Sequence, residues 1–180
     1  MQPINYRNRL EKVADRLGSE ALLVLAQPEA VRNSDVGHSY RQESFLYYLT
    51  GLDEANSALL VVPREKDGVR FIAFVAPSDP VKELWEGRMI GVDGAKTKLA
   101  VDEAFPIAEL WTQLVQYLKG HTAINYCLGR NADADRSLVD ALTKVKRARP
   151  RYFDYKMPIV DSDKISPEIL SESTLAKLRE

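Results

Sequence analysis

Residues 40–62 read YRQESFLYYLTGLDEANSALLVV, and the fold turns on how this stretch is read. Its last five residues, ALLVV at 58–62, form a short aliphatic run whose length and small-residue entry favour a buried strand. Gly51 marks a turn ahead of that run. On the other side of the turn, residues 45–50 (FLYYLT) are rich in aromatic side chains and predict a second, more polar strand. After the aliphatic run, Lys66, Asp67 and Gly68 separate it from residues 69–76 (VRFIAFVA). Asp-Gly supplies the positive backbone angle of a tight hairpin, so neighbouring antiparallel strands are expected.

Working outward, Leu10, Val13, Ala14 and Leu17 recur at helical spacing, with Asn5 placed to cap and Gly18 to stop the helix. Residues 20–26 (EALLVLA) end at Pro28 and predict a strand buried on both faces. Asp79 can cap a helix whose first position is Pro80 and whose first turn holds Glu83. That helix carries Trp85 and is expected to end between residues 87 and 91. Ile107, Leu110, Trp111, Leu114 and Leu118 form a helical stripe between Pro106 and Gly120. Residues 122–128 predict a strand, and Leu138, Val139, Leu142 and Val145 one face of a further helix. Residues 149–166, with three prolines in or beside them and the aromatics Tyr152, Phe153 and Tyr155, predict an edge strand followed by a connector. The pattern specifies an α/β fold, a mixed β-sheet flanked by helices.

Composition narrows the class of molecule. A chain of 180 residues fits one domain with a tail and can bury about 70% of its unfolded surface. With 45% hydrophobic and 28% charged residues it is an ordinary globular sequence rather than a disordered or fibrous one. A net charge of -1 argues against a general affinity for nucleic acid or an anionic membrane. The single cysteine, Cys127, excludes an internal disulfide framework and suits a reducing compartment, so a cytoplasmic location is expected. Residues 1–9 lack the apolar stretch of a signal peptide, and no run approaches the ~20 apolar residues of a membrane span.

Few residues carry chemistry. A hydrolytic metal site needs three converging protein ligands, and the two histidines, His38 and His121, sit in no ligand-like pair. His38 with Asp35 and Glu43 is the weakest of the readings kept, a hydrolase with a site of its own. No nucleophile elbow or phosphate-binding glycine loop occurs. Cys127 falls in a predicted strand and reads as a small buried apolar group. Glu43, Asp53 and Glu54 flank the strand and turn as solvated carboxylates. Lys144, Lys146, Arg147, Arg149 and Arg151 complement a helix carboxyl end. Two features stand apart. Arg41, beside Tyr40, presents a planar guanidinium suited to carboxylates or to stacking, and Trp85 sits in a polar helix end that would leave its ring incompletely covered.

The order Tyr40, Arg41, Gln42, Tyr47, Tyr48, Thr50, Gly51, Glu54 and ALLVV at 58–62 resembles the amino-terminal domain of the aminopeptidase P (Xaa-Pro aminopeptidase) family, within the creatinase/prolidase-like metallopeptidases. A second stretch, DPVKELWEGR at 79–88, resembles the family segment carrying an acidic residue, a tryptophan, a glycine and an arginine, and Gly91, Ala95 and residues 101–104 continue the register. The resemblance spans about residues 10–155. It implies an amino-terminal domain at residues 1–160, with 161–180 leading as a linker and helix start towards a larger catalytic domain of the pita-bread fold. There two divalent metals, manganese as a rule, would serve removal of an amino-terminal residue that precedes proline. By the same resemblance this chain holds no catalytic or metal-ligating residue and no cofactor. Tyr40, Arg41, Trp85 and Arg88 are its interface or substrate-rim residues, and its partners are its own catalytic domain, further copies of itself and the proline-containing peptide. Residues 166–180 open like a helix and stop without a cap, as a polypeptide cut inside a helix would. Two alternatives stay open: a stand-alone binding domain of the same fold, using Tyr40, Arg41 and Trp85, and the amino-terminal domain of a prolidase or creatinase-type hydrolase.

Overall fold

The computed structural model describes residues 4–33, 36–64, 68–121, 123–147 and 159–160. Helix α1 (Tyr6–Leu17) begins where the Asn5 side chain accepts a hydrogen bond from the Asn8 N–H at 3.0 Å and ends at Gly18, whose φ of 59° requires no Cβ. Strand β1 (Ala21–Leu25) follows, buried on both faces as its apolar run predicts. Strands β2 (Val31–Asn33) and β3 (Val36–Gly37) pair as a separate short ribbon.

The sequence expectation fails at residues 45–50, which form helix α2 (Ser44–Thr50) rather than a strand. Phe45, Leu46, Leu49 and Thr50 are buried while Tyr47 is exposed, the spacing of a helix face and not the alternation of a strand. The start is fixed by Glu43, whose carboxylate accepts from the Leu46 N–H at 2.7 Å, and the end by Gly51, left-handed at φ 71° and donating its N–H to the Tyr47 carbonyl at 2.7 Å. The aromatic content pointed to a strand, but local caps and tertiary burial override propensity.

Strands β4 (Ala58–Arg64) and β5 (Gly68–Val75) pair antiparallel from Ala58↔Phe74 to Arg64↔Gly68, as the Asp-Gly signal predicts. Helix α3 (Pro80–Glu86) starts where Asp79 accepts from the Val81 N–H at 2.9 Å. Helix α4 (Gly91–Lys98) and strand β6 (Glu103–Pro106) come next, neither of them legible as an element in the sequence. A 3₁₀ turn (Ile107–Glu109) leads into α5 (Leu110–Tyr117). The strand expected over 122–128 is confined to β7 (Ile124–Asn125), so Cys127 lies beyond it and is half-buried rather than buried. In α6 (Ala132–Arg147) the buried face is Ala134, Leu138, Ala141 and Val145, whereas Val139 is exposed. Within the stretch expected to hold an edge strand, β8 (Ile159–Val160) is the strand seen, at the sheet edge beside β7; Tyr152, Phe153 and Tyr155 lie outside the described residues.

The main sheet has the order β6-β5-β4-β1-β7-β8, with β4 antiparallel to both its neighbours and the other pairings parallel. Side chains alternate across it. Leu23, Leu60, Ile72 and Phe74 meet Leu110, Leu114, Leu118, Leu138 and Val145 of α5 and α6 on one face. Leu22, Leu59, Val61 and Phe71 meet Leu10, Val13, Leu17, Phe45, Leu46 and Leu49 of α1 and α2 on the other. Ala73, Val75 and Ala104 close the same sheet against Ala95 of α4. Each large aliphatic side chain so covered contributes about 1.5–3 kcal/mol. Cation–π contacts join the helices to this core, with Arg9 4.0 Å from the Tyr48 ring centroid and Arg7 4.5 Å from that of Phe71.

The topology brings several connecting segments together. Because β4 runs against β1 and β5, its first residue, Ala58, faces Leu25, the last residue of β1, and Phe74, the last but one of β5. The segments leaving β1, entering β4 and leaving β5 therefore gather at one end of the sheet, along the edge formed by the carboxyl ends of β1 and β5.

Two substitutions test the helical reading of residues 44–51. Glu43→Ala removes the cap and is expected to lower the urea-unfolding free energy by about 1 kcal/mol; an unchanged midpoint would contradict the assignment. In Gly51→Ala the added Cβ would lie 2.5 Å from the Tyr6 hydroxyl at a positive φ, and a loss of about 1–3 kcal/mol is expected in the same measurement.

Candidate functional site

At that edge Tyr40 stands at the junction of two grooves. The larger is lined by Tyr40, the turn residues 51–56, the 87–90 segment and Lys98; the smaller by Tyr40, Arg41, Gln42, Glu43, Pro28 and Arg130. The structure thus brings Tyr40 together with Arg88 in one groove and with Arg41 in the other. Arg41 and Arg88 are both exposed, which suits guanidinium groups at a rim that meets carboxylates or another protein surface. Trp85 belongs to α3, three positions before Arg88; its side chain lies outside the description.

Tyr40 itself is an anchor. Its hydroxyl donates to Gln42 Oε1 at 2.9 Å and lies 3.3 Å from the Gln27 carbonyl. Burial, then the negative charges of Asp53, Glu29 and Glu43, push its phenol up to about 12, so it stays neutral and hydrogen-bonding at physiological pH.

Gln42, only 5% exposed, is the hub of the site. Its Oε1 also accepts from the Glu43 N–H at 2.8 Å, and its Nε2 donates to the Glu54 carbonyl at 2.9 Å and to Ser57 Oγ at 3.4 Å. Ser57 Oγ donates to the same Glu54 carbonyl at 2.7 Å, and the Ala26 N–H to the Ser57 carbonyl at 2.9 Å. A buried amide with every position filled fixes its neighbours' backbone.

The carboxylates expected to be merely solvated divide. Asp53 is exposed, as expected. Glu43 is largely covered: one oxygen caps α2 and the other lies 3.3 Å from Arg130. Glu54 accepts from the Ile90 N–H at 2.7 Å through Oε1, while Oε2 is enclosed without a partner among the described residues. Burial raises the Glu54 carboxyl above its ordinary range; the Ile90 hydrogen bond opposes the shift, Glu83 adds to it and Lys98 opposes it.

Beyond Glu43, the smaller groove leads to Leu25 at the carboxyl end of β1, Tyr126 and Cys127 just after β7, and Phe45 of α2. Tyr126 donates to Asp135 at 3.0 Å, and burial followed by that bond raises its phenol. Asn131 caps α6 through the Asp133 and Ala134 N–H groups, both at 3.1 Å.

Sequence reasoning gave Gln42 and Glu54 no role, although both stand in the quoted motif. The signal available was their position, a long polar side chain beside each end of an apolar run whose backbone must be satisfied. His38 is exposed and its N–H donates to the Ala30 carbonyl, while Asp35 lies outside the described residues. His121 places Nδ1 3.2 Å from the Ser19 carbonyl at the end of α5. Lys144, Lys146 and Arg147 occupy the last turn of α6, as expected; Arg149 and Arg151 lie outside the described residues. Among the described residues no group of three or more His, Cys, Asp or Glu side chains could hold a metal ion, so they do not fit the divalent metals that the resemblance implies. No described helix is long and apolar enough to cross a membrane.

The sequence matches the family model described as "Aminopeptidase P, N-terminal domain" over residues 6–126. It is 42% identical over 106 residues to a Xaa-Pro aminopeptidase of Haemophilus influenzae, covering 59% of this chain and 24% of that protein. To the Xaa-Pro aminopeptidase of Escherichia coli it is 33% identical over 141 residues, covering 78% of this chain and 32% of the relative. Among solved structures, the low-pH form of Escherichia coli aminopeptidase P is similar with a TM-score of 0.82 at 27% identity, and Pseudomonas aeruginosa aminopeptidase PepP with 0.80 at 30%. In both cases 92% of this chain and 38% of the other are covered. The chain therefore spans less than two fifths of the length of these relatives. With its core strands, its Tyr40 edge and residues 6–126 all within the match, this chain belongs to the aminopeptidase P amino-terminal domain family.

Proposed function

We propose that this domain, residues 1–160, is the non-catalytic amino-terminal part of a cytoplasmic Xaa-Pro aminopeptidase, and that residues 161–180 lead towards a larger catalytic part. The observation that carries the reading is the coverage: relatives named Xaa-Pro aminopeptidases match this chain over 24% and 32% of their own length. In this reading the remainder of a longer polypeptide supplies the metal ligands and holds two divalent metals, manganese among the candidates. The whole enzyme removes an amino-terminal residue that precedes proline. The present domain contributes no reacting group.

Its work is geometric. Tyr40 fixes the wall between the two grooves, and Arg41, Arg88 and the Trp85 segment present a rim that another copy of the chain or the peptide substrate meets. Val81 and Leu84 of α3, 67% and 81% exposed, support an interface there, since apolar side chains this open on one short helix gain most from being covered. The single cysteine supports the assignment to a reducing compartment.

Two experiments test the proposal. Purified chain supplied with manganese is expected to leave an Xaa-Pro peptide intact; manganese-dependent cleavage that a chelator abolishes would overturn the non-catalytic reading. Sedimentation of the chain beside its Trp85→Ala variant is expected to show self-association weakened by about 30-fold, the size of an aromatic interface anchor. Indistinguishable association would remove Trp85 from the interface.

A further inference from the structure

We infer that Glu54 is a positioning residue: it ties the 87–90 segment, and so Arg88, to the wall built by Tyr40 and Gln42. The two sequence stretches that carry the family resemblance are 16 residues apart at their nearest, ending at 62 and opening at 79. In the fold the Glu54 side chain of the first reaches Ile90, two residues past the end of the second.

The Ile90 side chain packs against the cluster of Leu52, Val75 and Ala95, but the backbone of the segment between α3 and α4 is held at few points. It is bracketed by Gly87 at φ 90° and Gly91 at φ 60°, both in the left-handed region that favours glycine. Two carboxylates take adjacent N–H groups from it: Glu83 accepts from Met89 at 3.4 Å and, more tightly, from Ser78 Oγ at 2.6 Å, while Glu54 accepts from Ile90 at 2.7 Å. Glu83 lies on α3 and moves with it. Glu54 reaches in from the turn before β4, whose backbone the Gln42 amide and Ser57 hydroxyl hold. The relay is continuous: Tyr40 hydroxyl to Gln42, Gln42 to the Glu54 carbonyl, and the Glu54 side chain to Ile90.

A carboxylate at a solvated turn would offer both oxygens to water. Here Oε2 is enclosed and has no partner among the described residues, an arrangement that costs stability and that the charged bond to Ile90 offsets. Because that bond is strongest to the ionised form, acid should loosen it. The groups facing the carboxyl are Glu83 of α3 and Lys98 of α4, with Glu29, Asp53 and Arg88 lining the same groove. The linkage sign is separate from the local bond: a carboxyl raised in the fold contributes stability fully present below its unfolded value of about 4.3 and lost as pH rises through the folded value.

This inference deepens the rim reading of Arg88 and rests on it for meaning, but its test does not. In the intact 180-residue chain, Glu54→Ala should lower the hydrogen-exchange protection of the Ile90 amide about tenfold or more relative to the Leu23 amide in the sheet centre. Glu54→Gln, which keeps an acceptor oxygen, should restore most of it. The Ile90 amide resonance should titrate with a midpoint above the ordinary glutamate range in the wild type and not in Glu54→Gln. Ile90 protection unchanged within twofold, or falling equally at Leu23, would overturn the inference, as would an Ile90 resonance that titrates alike in both proteins. If instead the Glu54 results hold while Trp85→Ala associates normally, the rim reading fails and the positioning role stands.

Discussion

A primary amide taken out of water must find partners for its donors and its acceptor, and Gln42 meets that requirement at the one place where several chain segments converge. Its partners are the Tyr40 hydroxyl, the Glu43 N–H, the Glu54 carbonyl and Ser57. Leaving one such group unpaired in the interior costs about 1–3 kcal/mol. That penalty specifies the path of the chain on both sides of α2, from the Tyr40 wall before it to the turn that feeds β4 after it.

The sheet explains why this amide can reach so far. A wholly parallel sheet would send the start of β4 to the opposite edge from the ends of β1 and β5. The reversal of β4 places Ala58 beside Leu25 and Phe74, so Gln27, Tyr40, Glu54 and the 87–90 segment become neighbours. Hydrophobic burial on both faces holds the strands, and the polar relay then needs to fix only the loops. Stability and site geometry are supplied by different interactions, which lets the edge carry exposed arginines without weakening the core.

Much of this was legible in the sequence, and the exceptions have physical causes. The α1 stripe, the doubly buried β1 and the β4–β5 hairpin follow from apolar spacing and from Asn5, Gly18 and the Asp-Gly pair. Residues 44–50 did not, because a seven-residue helix has too few turns to show a period and its Glu43 cap is an uncommon one. The short β6 owes its extended form to pairing with β5 rather than to its own composition, and β7 is shorter than the strand its apolar residues predict. Arg41 beside Tyr40 and Trp85 stood out by residue type and Arg88 by the family resemblance, and the structure gathers Tyr40 with each of the two arginines. Gln42 was given no role and Glu54 was read as solvated because a glutamine or glutamate beside a turn ordinarily faces water, and only the tertiary fold covers them.

The central claim is that polar contacts around the buried Gln42 join the first sequence motif to the segment that follows the second. The amide spectrum of Gln42→Ala, compared with that of the parent chain, reads this most directly. The account predicts that resonance changes extend beyond Tyr40 and α2 to Glu54, Ser57 and onward to Met89 and Ile90, with the α5 and α6 amides unaffected. Changes confined to residues 40–46 would contradict it.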